Sequence, residues 1–331
     1  MTCKICRENS VLFLKGLFDD RYGYPKAFDI YRCTSCKSFQ TEPRLRPEEI
    51  GPLYTDYYPR KNIDPKTVEN RARSFRPANA FNSWLSGEHR AQRLLPLVSH
   101  SNDDASRPKA LDVGCGDGFS LLELRSLGYD AYGIETDVNV AKIRDALDLN
   151  IHIGTIEDAS FPAHSFDYII ANQVIEHVVD LDSFCISIKR SLAPTGTVIL
   201  STPNAKSVFR MLYARRWMHW HIPYHQQILS SRGLYALLRR HGLKVVWVRT
   251  VSPSSWTMHE LNRLRFKADL GKKNQFWTDP QKIHSTLAGK IFRKLAFYGS
   301  QGIGKAADLL GHGNCIIVQA VKEREPRDHH I

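Results

Sequence analysis

The chain has 331 residues, of which 42% are hydrophobic and 24% charged, and a formal net charge of +12. These fractions are typical of a soluble globular protein, and no run of about 18 apolar residues exists that could cross a bilayer. The length fits one large core and a smaller module. The excess of cations favours anionic partners, but the cations are dispersed along the chain, and solvated charged faces are an equal alternative.

Four of the cysteines form two C-x-x-C pairs, Cys3/Cys6 and Cys33/Cys36, separated by 26 residues. This spacing is typical of a zinc ribbon, in which two C-x-x-C turns bring four thiolates onto one ion. Because all four ligand positions would be filled, we expect a structural zinc that holds together a small module, residues 1–60. Disulfides are disfavoured, because the first residues lack the apolar stretch of a signal peptide and we expect a reducing, cytoplasmic environment.

Residues 61–108 are predicted to link this module to the main core. The pattern of residues 79–98 predicts one or two amphipathic helices, and the polar stretch 99–108 marks the entry to the core.

An apolar strand beginning at Lys109 then runs into a turn with glycine at every second position. Such a turn brings backbone close to a ligand. Phe119 stands where the dinucleotide fingerprint G-x-G-x-x-G requires its last glycine, so a pyrophosphate ligand is disfavoured. Asp112 and Asp117 flank the turn and favour a ligand with positive charge, such as a sulfonium and an ammonium. The glycines are Gly114, Gly116 and Gly118.

The next predicted strand, 131–134, ends at Glu135, about 20 residues past the turn, where an acidic side chain can accept hydrogen bonds from both ribose hydroxyls. Asp137 is predicted to cap the following helix. Further strands are predicted at 151–153, 166–171 and 197–200, and a helix at 181–192.

The C-terminal third begins with a stretch rich in aromatic and cationic residues, Phe209 to Trp220. It could face an acceptor, a membrane surface or single-stranded nucleic acid, although a helix of this kind more often packs on its own core. A helix ending at His241-Gly242 and two last strands, 244–248 and 315–318, follow. The long insertion between them, 267–311, is interpreted as a lid or acceptor cap.

The segment L-D-V-G-C-G-D-G at 111–118, followed by Gly133-Ile134-Glu135, Ser165-Phe166-Asp167 and Ser201-Thr202-Pro203-Asn204, resembles a class I methyltransferase that uses S-adenosylmethionine. The resemblance is to the branch of ubiquinone-pathway O-methyltransferases and of small-molecule and sugar methyltransferases. It implies an α/β fold with a Rossmann-like, seven-stranded, mostly parallel sheet. The cofactor-binding core would be 109–204, the rest of the sheet with the acceptor insertion 205–322, and 323–331 a loose tail.

The resemblance also implies roles for individual residues. The helices at 79–98 would cover the cofactor. The loop at 154–158 would hold adenine, although Thr155 stands where relatives often have aspartate, and residues after the strand ending at 171 would border the methionine portion and the acceptor. The implied cofactor-binding residues are Asp112, Gly114, Gly116, Gly118, Glu135, Thr155, Ile156, Glu157 and Asn172. The implied substrate side comprises Tyr54, Tyr57, Tyr58 and Tyr224, with simple packing of the first three as an equal alternative.

For the chemistry, a hydroxyl acceptor needs a base, and histidine with its near-neutral pKa is the natural one. His177 and His225 are the best candidates. Some relatives carry E-x-x-E-H and have been linked to a metal; here Gln173 replaces the first glutamate, which argues against a catalytic metal.

The sequence therefore predicts a methyltransferase that O-methylates a small molecule or a glycan, with an anionic or lipid-linked acceptor and a peripheral membrane contact as expected partners. A nucleotide-sugar C-methyltransferase and an RNA-binding methyltransferase are the alternatives. An inactive, binding-only relative is disfavoured by the intact glycine turn and Glu135.

Overall fold

The computed structural model describes residues 1–58, 64–73, 82, 86–98, 107–263, 266–278 and 287–323. Its strands are, in chain order, β1 (Ser10–Phe18), β2 (Ala27–Cys33), β3 (Phe39–Glu42), β4 (Lys109–Val113), β5 (Asp130–Glu135), β6 (Asn150–Ile153), β7 (Phe166–Asn172), β8 (Leu192–Pro203), β9 (Gln227–Ile228), β10 (Leu243–Val251) and β11 (Cys315–Lys322). Its helices are α1 (Pro47–Pro52), α2 (Pro65–Arg73), α3 (Phe119–Ser126), α4 (Ala141–Ala146), α5 (Leu181–Ser191), α6 (Val208–Tyr213), α7 (Ser231–Arg240), α8 (Ser254–Arg263), α9 (Gln275–Thr278) and α10 (Leu287–Leu309).

A seven-stranded sheet forms the main core, in the order β10-β11-β8-β7-β4-β5-β6. The five strands from β8 to β6 are parallel, and β11 runs antiparallel to both β8 and β10. The predicted fold class, an α/β fold with a Rossmann-like and mostly parallel sheet, is confirmed. Parallel strands point their carboxyl ends to one edge, where such folds bind ligands.

Capping residues mark the ends of the helices between these strands. Asp180 caps α5 by accepting hydrogen bonds from the amides of Asp182 and Ser183. Gly128, with a φ of +95°, follows the end of α3. Both faces of the sheet are covered, so β7 is a largely apolar run with Ile169, Ile170 and Ala171 fully buried.

A second, four-stranded sheet has the order β1-β2-β3-β9. Its first three strands come from the cysteine-rich N-terminus, whereas β9 comes from the C-terminal third. Phe39 pairs with Ile228, and Gln40 pairs with Gln227. The N-terminal strands therefore share a hydrogen-bonded sheet with the segment that precedes α7.

The prediction of helix at 79–98 is wrong for residues 88–98, which are extended apart from one 3₁₀ turn, Ala91–Leu94. The reason is a set of side-chain bonds to Glu123 of α3, which is fully buried. Gln92 Nε2 donates to Glu123 Oε2 at 2.8 Å, and Arg93 Nε donates to Oε1 at 2.9 Å. A buried carboxylate needs such partners, and they hold this segment along α3. Residues 79–81 and 83–85 lie outside the described residues, as do 99–106 and 324–331.

The aromatic stretch 209–220 packs inside the protein, as the alternative of a helix packed on its own core predicted. Phe209, Trp217 and Trp220 are buried, and α6 exposes only Met211 and Leu212 among its large apolar side chains. Its large rings join the N-terminal sheet in one apolar cluster. Contact of the stretch with a membrane or a nucleic acid stays a prediction.

Within the predicted insertion 267–311, the described residues form α9 and α10, and α10 packs against α8 and β10. A role of this insertion as an acceptor lid stays a prediction. Across the described ranges, no helix is both long enough and apolar enough to span a bilayer.

The close approach of α7 to the N-terminal sheet predicts a stability effect at Gly233. A Cβ at this position would lie 2.2 Å from Ser38 Oγ and 3.3 Å from Ile5 Cγ2. We expect Gly233→Ala to lower the free energy of unfolding by about 1–3 kcal/mol through overpacking, measured by urea denaturation.

Gly299→Ala is the matched control, because that helical glycine faces open space. Alanine there should raise the stability by about 0.5–1 kcal/mol through helix propensity alone. Equal effects of the two substitutions would show that α7 does not pack as closely as described.

Candidate functional site

The turn after β4 is one that only glycine builds without strain. Gly114, Gly116 and Gly118 have φ values of +75°, +56° and +71°. A Cβ on Gly114 would lie 2.6 Å from Val174 Cγ2, and one on Gly118 would lie 2.6 Å from Leu149 Cδ1, whereas a Cβ on Gly116 would meet nothing within 4 Å. The turn is thus packed on its protein side and open at Gly116, where a ligand can approach the backbone.

Glu135 lies at the end of β5, beside this turn. Its Oε2 accepts a hydrogen bond from the Gly116 amide at 2.9 Å, and its Oε1 accepts from the amides of Thr136 and Asp137 at 2.8 and 3.0 Å. The carboxylate therefore ties the glycine turn to the second strand of the core. It stays half-buried, within reach of a ligand at Gly116.

Asp112 is buried beneath the turn and accepts a hydrogen bond from the Ser120 hydroxyl. Burial raises the pKa of its carboxyl to about 7. Its Oδ1 has no hydrogen-bond partner in the described part of the chain. A buried carboxylate oxygen of this kind fits a cationic donor such as the ammonium group of S-adenosylmethionine.

Asp117, on the outer side of the turn, faces α2. Its Oδ2 lies 3.4 Å from Arg71 NH1, and the Arg71 guanidinium lies 3.8 Å from the centre of the Phe119 ring. Among the described residues, α2 thus contacts the outer side of the turn. The predicted covering role of residues 79–98 stays a prediction.

The loop after β6 holds the three residues expected near adenine. The Thr155 amide donates to Asp158 Oδ1 at 3.0 Å, Ile156 is buried, and Glu157 is exposed. Asp158 also lies 2.7 Å from His152 Nε2. The aspartate that shapes this loop thus comes three residues later than in the relatives.

Asn172, at the end of β7, uses its side chain inside the protein. Its Nδ2 donates to Gln92 Oε1 at 2.8 Å, and its Oδ1 accepts from the Ser201 hydroxyl at 3.2 Å. The predicted cofactor contact at Asn172 stays a prediction, and the structure adds that Gln92 links it to Glu123.

His177 follows β7 and meets the N-terminal tyrosines. Its Nδ1 lies 3.1 Å from both the Tyr224 carbonyl oxygen and the Tyr54 hydroxyl. A carbonyl only accepts, so Nδ1 carries the proton and Nε2 keeps its lone pair. Burial lowers the pKa of His177 to about 4, which keeps the ring neutral at neutral pH.

His225 has the same arrangement. Its Nδ1 lies 2.7 Å from the His219 carbonyl oxygen, so its Nε2 is also unprotonated. The ring centres of His177 and His225 are 4.6 Å apart. The structure therefore brings together the two histidines that the sequence singles out.

Tyr224 and two of the three predicted N-terminal tyrosines, Tyr54 and Tyr58, join these histidine rings in a tyrosine–histidine cluster. Neighbouring ring centres in this cluster are 4.6 to 5.9 Å apart. Tyr57 instead packs on Tyr24, at 5.2 Å. Two buried polar atoms of the cluster, His221 Nε2 and the Tyr224 hydroxyl, have no hydrogen-bond partner among the described residues. The cluster comprises Tyr22, Tyr54, Tyr58, His177, His221, Tyr224 and His225.

Sequence reasoning missed His221 and Tyr22. A signal for His221 existed, because His219, His221 and His225 follow one another in a short aromatic segment ahead of a helix. Tyr22 carries no such signal, since only the N-terminal fold brings it to the cluster.

Glu176 is buried next to this cluster. Its Oε2 accepts from the Thr202 hydroxyl at 3.0 Å, and its Oε1 lies 3.2 Å from the Gln173 amide nitrogen when that amide is oriented to satisfy both of its ends. Burial raises the pKa of Glu176 to about 8. Donor atoms of Glu176, His177 and His225 lie within 4.8 Å of one another. The expectation that Gln173 argues against a catalytic metal stays a prediction.

The four N-terminal cysteines form a compact group, Cys3, Cys6, Cys33 and Cys36, with sulfur atoms within 4.8 Å of one another. Two of the sulfur pairs, Cys3/Cys36 and Cys6/Cys33, are 3.8 and 3.4 Å apart. Tetrahedral zinc with Zn–S bonds of about 2.3 Å needs sulfurs about 3.8 Å apart. The group fits one tetrahedral ion, and Cys115, Cys185 and Cys315 are buried elsewhere in the core.

The strand order, the glycine turn and the acid at the end of β5 together define a class I, S-adenosylmethionine-dependent methyltransferase. The sequence profile of the methyltransferase domain family matches residues 82–248, half of the chain, and the chain belongs to this family.

The chain is similar to two curated enzymes and to one solved structure. The chain is 25% identical over 213 residues to the ubiquinone biosynthesis O-methyltransferase of Brucella anthropi, a match that covers 56% of this chain and 85% of that protein. The enzyme of the same name from Bartonella tribocorum is 28% identical over 189 residues, covering 52% and 75%. A solved S-adenosylmethionine-dependent methyltransferase from Mesorhizobium loti is similar with a TM-score of 0.43 and 16% identity, covering 70% of this chain and 95% of that one.

Glu135→Ala should weaken the binding of S-adenosylhomocysteine by about 1–3 kcal/mol, the scale of hydrogen bonds to a charged group. Isothermal titration calorimetry measures this loss. Asp145→Ala is the control, because Asp145 lies on the surface of α4 and, among the described residues, pairs with its neighbour Arg144. Unchanged affinity in Glu135→Ala would rule out a ribose contact at this residue.

Proposed function

We propose that this methyltransferase O-methylates a hydroxyl group of a small, hydroxyl-rich acceptor, such as a sugar or glycan, which binds at the tyrosine–histidine cluster. The observation that carries the proposal is the 3.1 Å contact between His177 Nδ1 and the Tyr224 carbonyl oxygen. A carbonyl only accepts, so this contact assigns the proton to Nδ1 and leaves Nε2 free to act as a base, in a residue that follows β7 at the carboxyl edge of the sheet.

The cluster suits a hydroxylated acceptor for two reasons. Its rings offer apolar faces against which a sugar ring can pack. Its unpartnered buried atoms, His221 Nε2 and the Tyr224 hydroxyl, require hydrogen-bond partners that acceptor hydroxyls can supply. Tyr58 is 38% exposed and Tyr54 half-buried, so the cluster is reached from solvent on the N-terminal side.

His177 is the base in this proposal. Bound S-adenosylmethionine supplies a methyl group that its positively charged sulfur already activates. In this transfer the bond from the acceptor oxygen to the methyl carbon would replace the carbon–sulfur bond, and S-adenosylhomocysteine would be the leaving group. His177 Nε2 would take the hydroxyl proton, while the Tyr224 carbonyl accepts from Nδ1–H and stabilises the resulting imidazolium. The two similar enzymes are both named as O-methyltransferases, which supports transfer to oxygen.

His177→Asn should lower turnover by about a hundredfold or more and leave the affinity for S-adenosylhomocysteine nearly unchanged. His312→Asn is the control, since His312 lies outside the cluster and its Nδ1 contacts the Lys206 carbonyl. Turnover is followed with methyl-labelled cofactor and acceptors from cell extract, with products identified by mass spectrometry. A parental rate in His177→Asn, or a labelled C-methyl product, would contradict the proposal.

We further propose that the four paired cysteines hold one structural zinc. The sulfur positions support it, since the group has the dimensions of a tetrahedral thiolate site. The neighbouring backbone supports it too, because the Cys36 amide donates to the Cys33 sulfur at 3.3 Å, a bond typical of C-x-x-C turns that stabilise a thiolate.

Elemental analysis of protein purified without added metal should give one zinc per chain. Cys33→Ser should lose the metal and unfold the N-terminal sheet. Cys185→Ser, at a buried position of α5, should retain the metal. A metal-free protein with an intact N-terminal sheet would overturn the assignment.

A further inference from the structure

A cavity of about 700 Å³ lies at the edge of the seven-stranded sheet opposite the glycine turn. His164, which lines it, immediately precedes β7, and Lys322, which also lines it, is the last residue of the antiparallel strand β11. Since β7 has seven residues, the cavity and the cofactor turn lie about 20 Å apart along the strands. The cavity is therefore separate from the methyl-transfer site.

Cationic side chains dominate the lining of this cavity. Lys189 and Arg190 come from the last turn of α5, Arg239 and Arg240 from the last turn of α7, and Lys322 from β11. His164 and His241 add two imidazoles. No carboxylate belongs to the lining in the ranges that the structure covers.

Only part of this charge is compensated. Asp182 accepts from His241 Nε2 at 2.9 Å and also pairs with Arg240, and Arg190 donates to the Ala159 carbonyl at 3.2 Å. Lys189, Arg239 and Lys322 have no acidic partner among the residues with described positions.

Lys189 and Lys322 lie near each other. Lys322 Nζ donates a hydrogen bond to His164 Nδ1 at 2.7 Å, and burial together with the nearby Lys189 lowers the pKa of Lys322. Lys189 Nζ lies over Gly242, where a Cβ would meet it at 2.7 Å. Like charges held close together without a counterion raise the free energy of the protein, and an anion would remove this cost.

Helix dipoles account for some of these residues, because cations are favoured in the last turns of α5 and α7. That effect does not account for Lys322, on a strand, or for His164, on a loop. It also does not explain why the side chains from four separate segments converge on one open cavity.

We propose that this cavity binds a compact polyanion, a small molecule that carries phosphate or diphosphate groups. Lysine and arginine are the usual ligands of such groups. Among the residues that the structure describes, the lining has no aromatic ring other than the two imidazoles, and Ile186 is its one large apolar side chain. The phosphate groups themselves would carry the recognition.

Calorimetric titration of the full chain with inorganic pyrophosphate, at low ionic strength, tests the proposal. We expect one site, which the double variant Lys189→Gln/Lys322→Gln weakens by at least about tenfold through loss of two charge-assisted contacts. Saturating S-adenosylhomocysteine should leave the affinity for pyrophosphate unchanged, because the two sites lie at opposite edges of the sheet.

The matched control is Lys15→Gln/Lys142→Gln, which removes the same charge from exposed positions outside the cavity. Equal weakening in both double variants would reduce the effect to overall charge and overturn the proposal, as would absence of binding to the parental chain or competition by S-adenosylhomocysteine. Circular dichroism checks folding, and Arg239→Gln, at an exposed helix end, replaces the double variant if that variant unfolds.

Discussion

The pairing of β3 with β9 is the interaction on which the candidate acceptor site depends. It continues beyond the two paired residues, because the Thr41 amide donates to the Gln226 carbonyl at 3.0 Å and the Thr41 hydroxyl donates to the His225 carbonyl at 2.8 Å. The Gln226 amide in turn donates to the Glu176 carbonyl at 2.8 Å. A continuous set of backbone bonds thus leads from the cysteine-rich sheet, through Gln226, to Glu176 in the segment that follows β7. Without it, Tyr54 and Tyr58 would have no fixed position relative to His177.

Buried carboxylates hold the segments around this site in irregular conformations. Glu123 accepts hydrogen bonds from the side chains of Gln92 and Arg93. Gln92 in turn accepts a hydrogen bond from Asn172 at the end of β7. Glu260 of α8 accepts the Met218 amide at 3.0 Å and fixes the segment that leads to His221. Each carboxylate is shielded from water, so removing a partner would leave a buried polar group unsatisfied. Such networks specify one path for chain segments that have no regular secondary structure.

The two edges of the large sheet differ in charge. The carboxyl edge carries Asp112, Asp117 and Glu135 around the glycine turn, which favours a cofactor with a positive sulfonium and ammonium. The opposite edge carries Lys189 and Lys322, which face a cavity without carboxylates in its described lining. The two ends of the same strands thus favour ligands of opposite charge. The net charge of +12 does not reveal this difference, because it is a sum over the whole chain.

The sequence by itself determined the main core. Apolar strands, glycines at 114, 116 and 118, Glu135 at a strand end and the cap Asp137 are local signals, because each depends on residues within one element or one turn. The two C-x-x-C pairs were equally readable from their spacing.

Only the tertiary structure decided how these parts meet. The helix predicted at 79–98 is absent from 88–98 because the side chains of Gln92 and Arg93 form hydrogen bonds with Glu123, about 30 residues later in the sequence. Tyr22 and His221 lie near His177 because the N-terminal strand β3 pairs with β9 of the C-terminal third. The cationic cavity forms where the last residues of α5, α7 and β11 lie close to one another. Local patterns specify elements, whereas long-range pairing and buried charge decide which elements become neighbours.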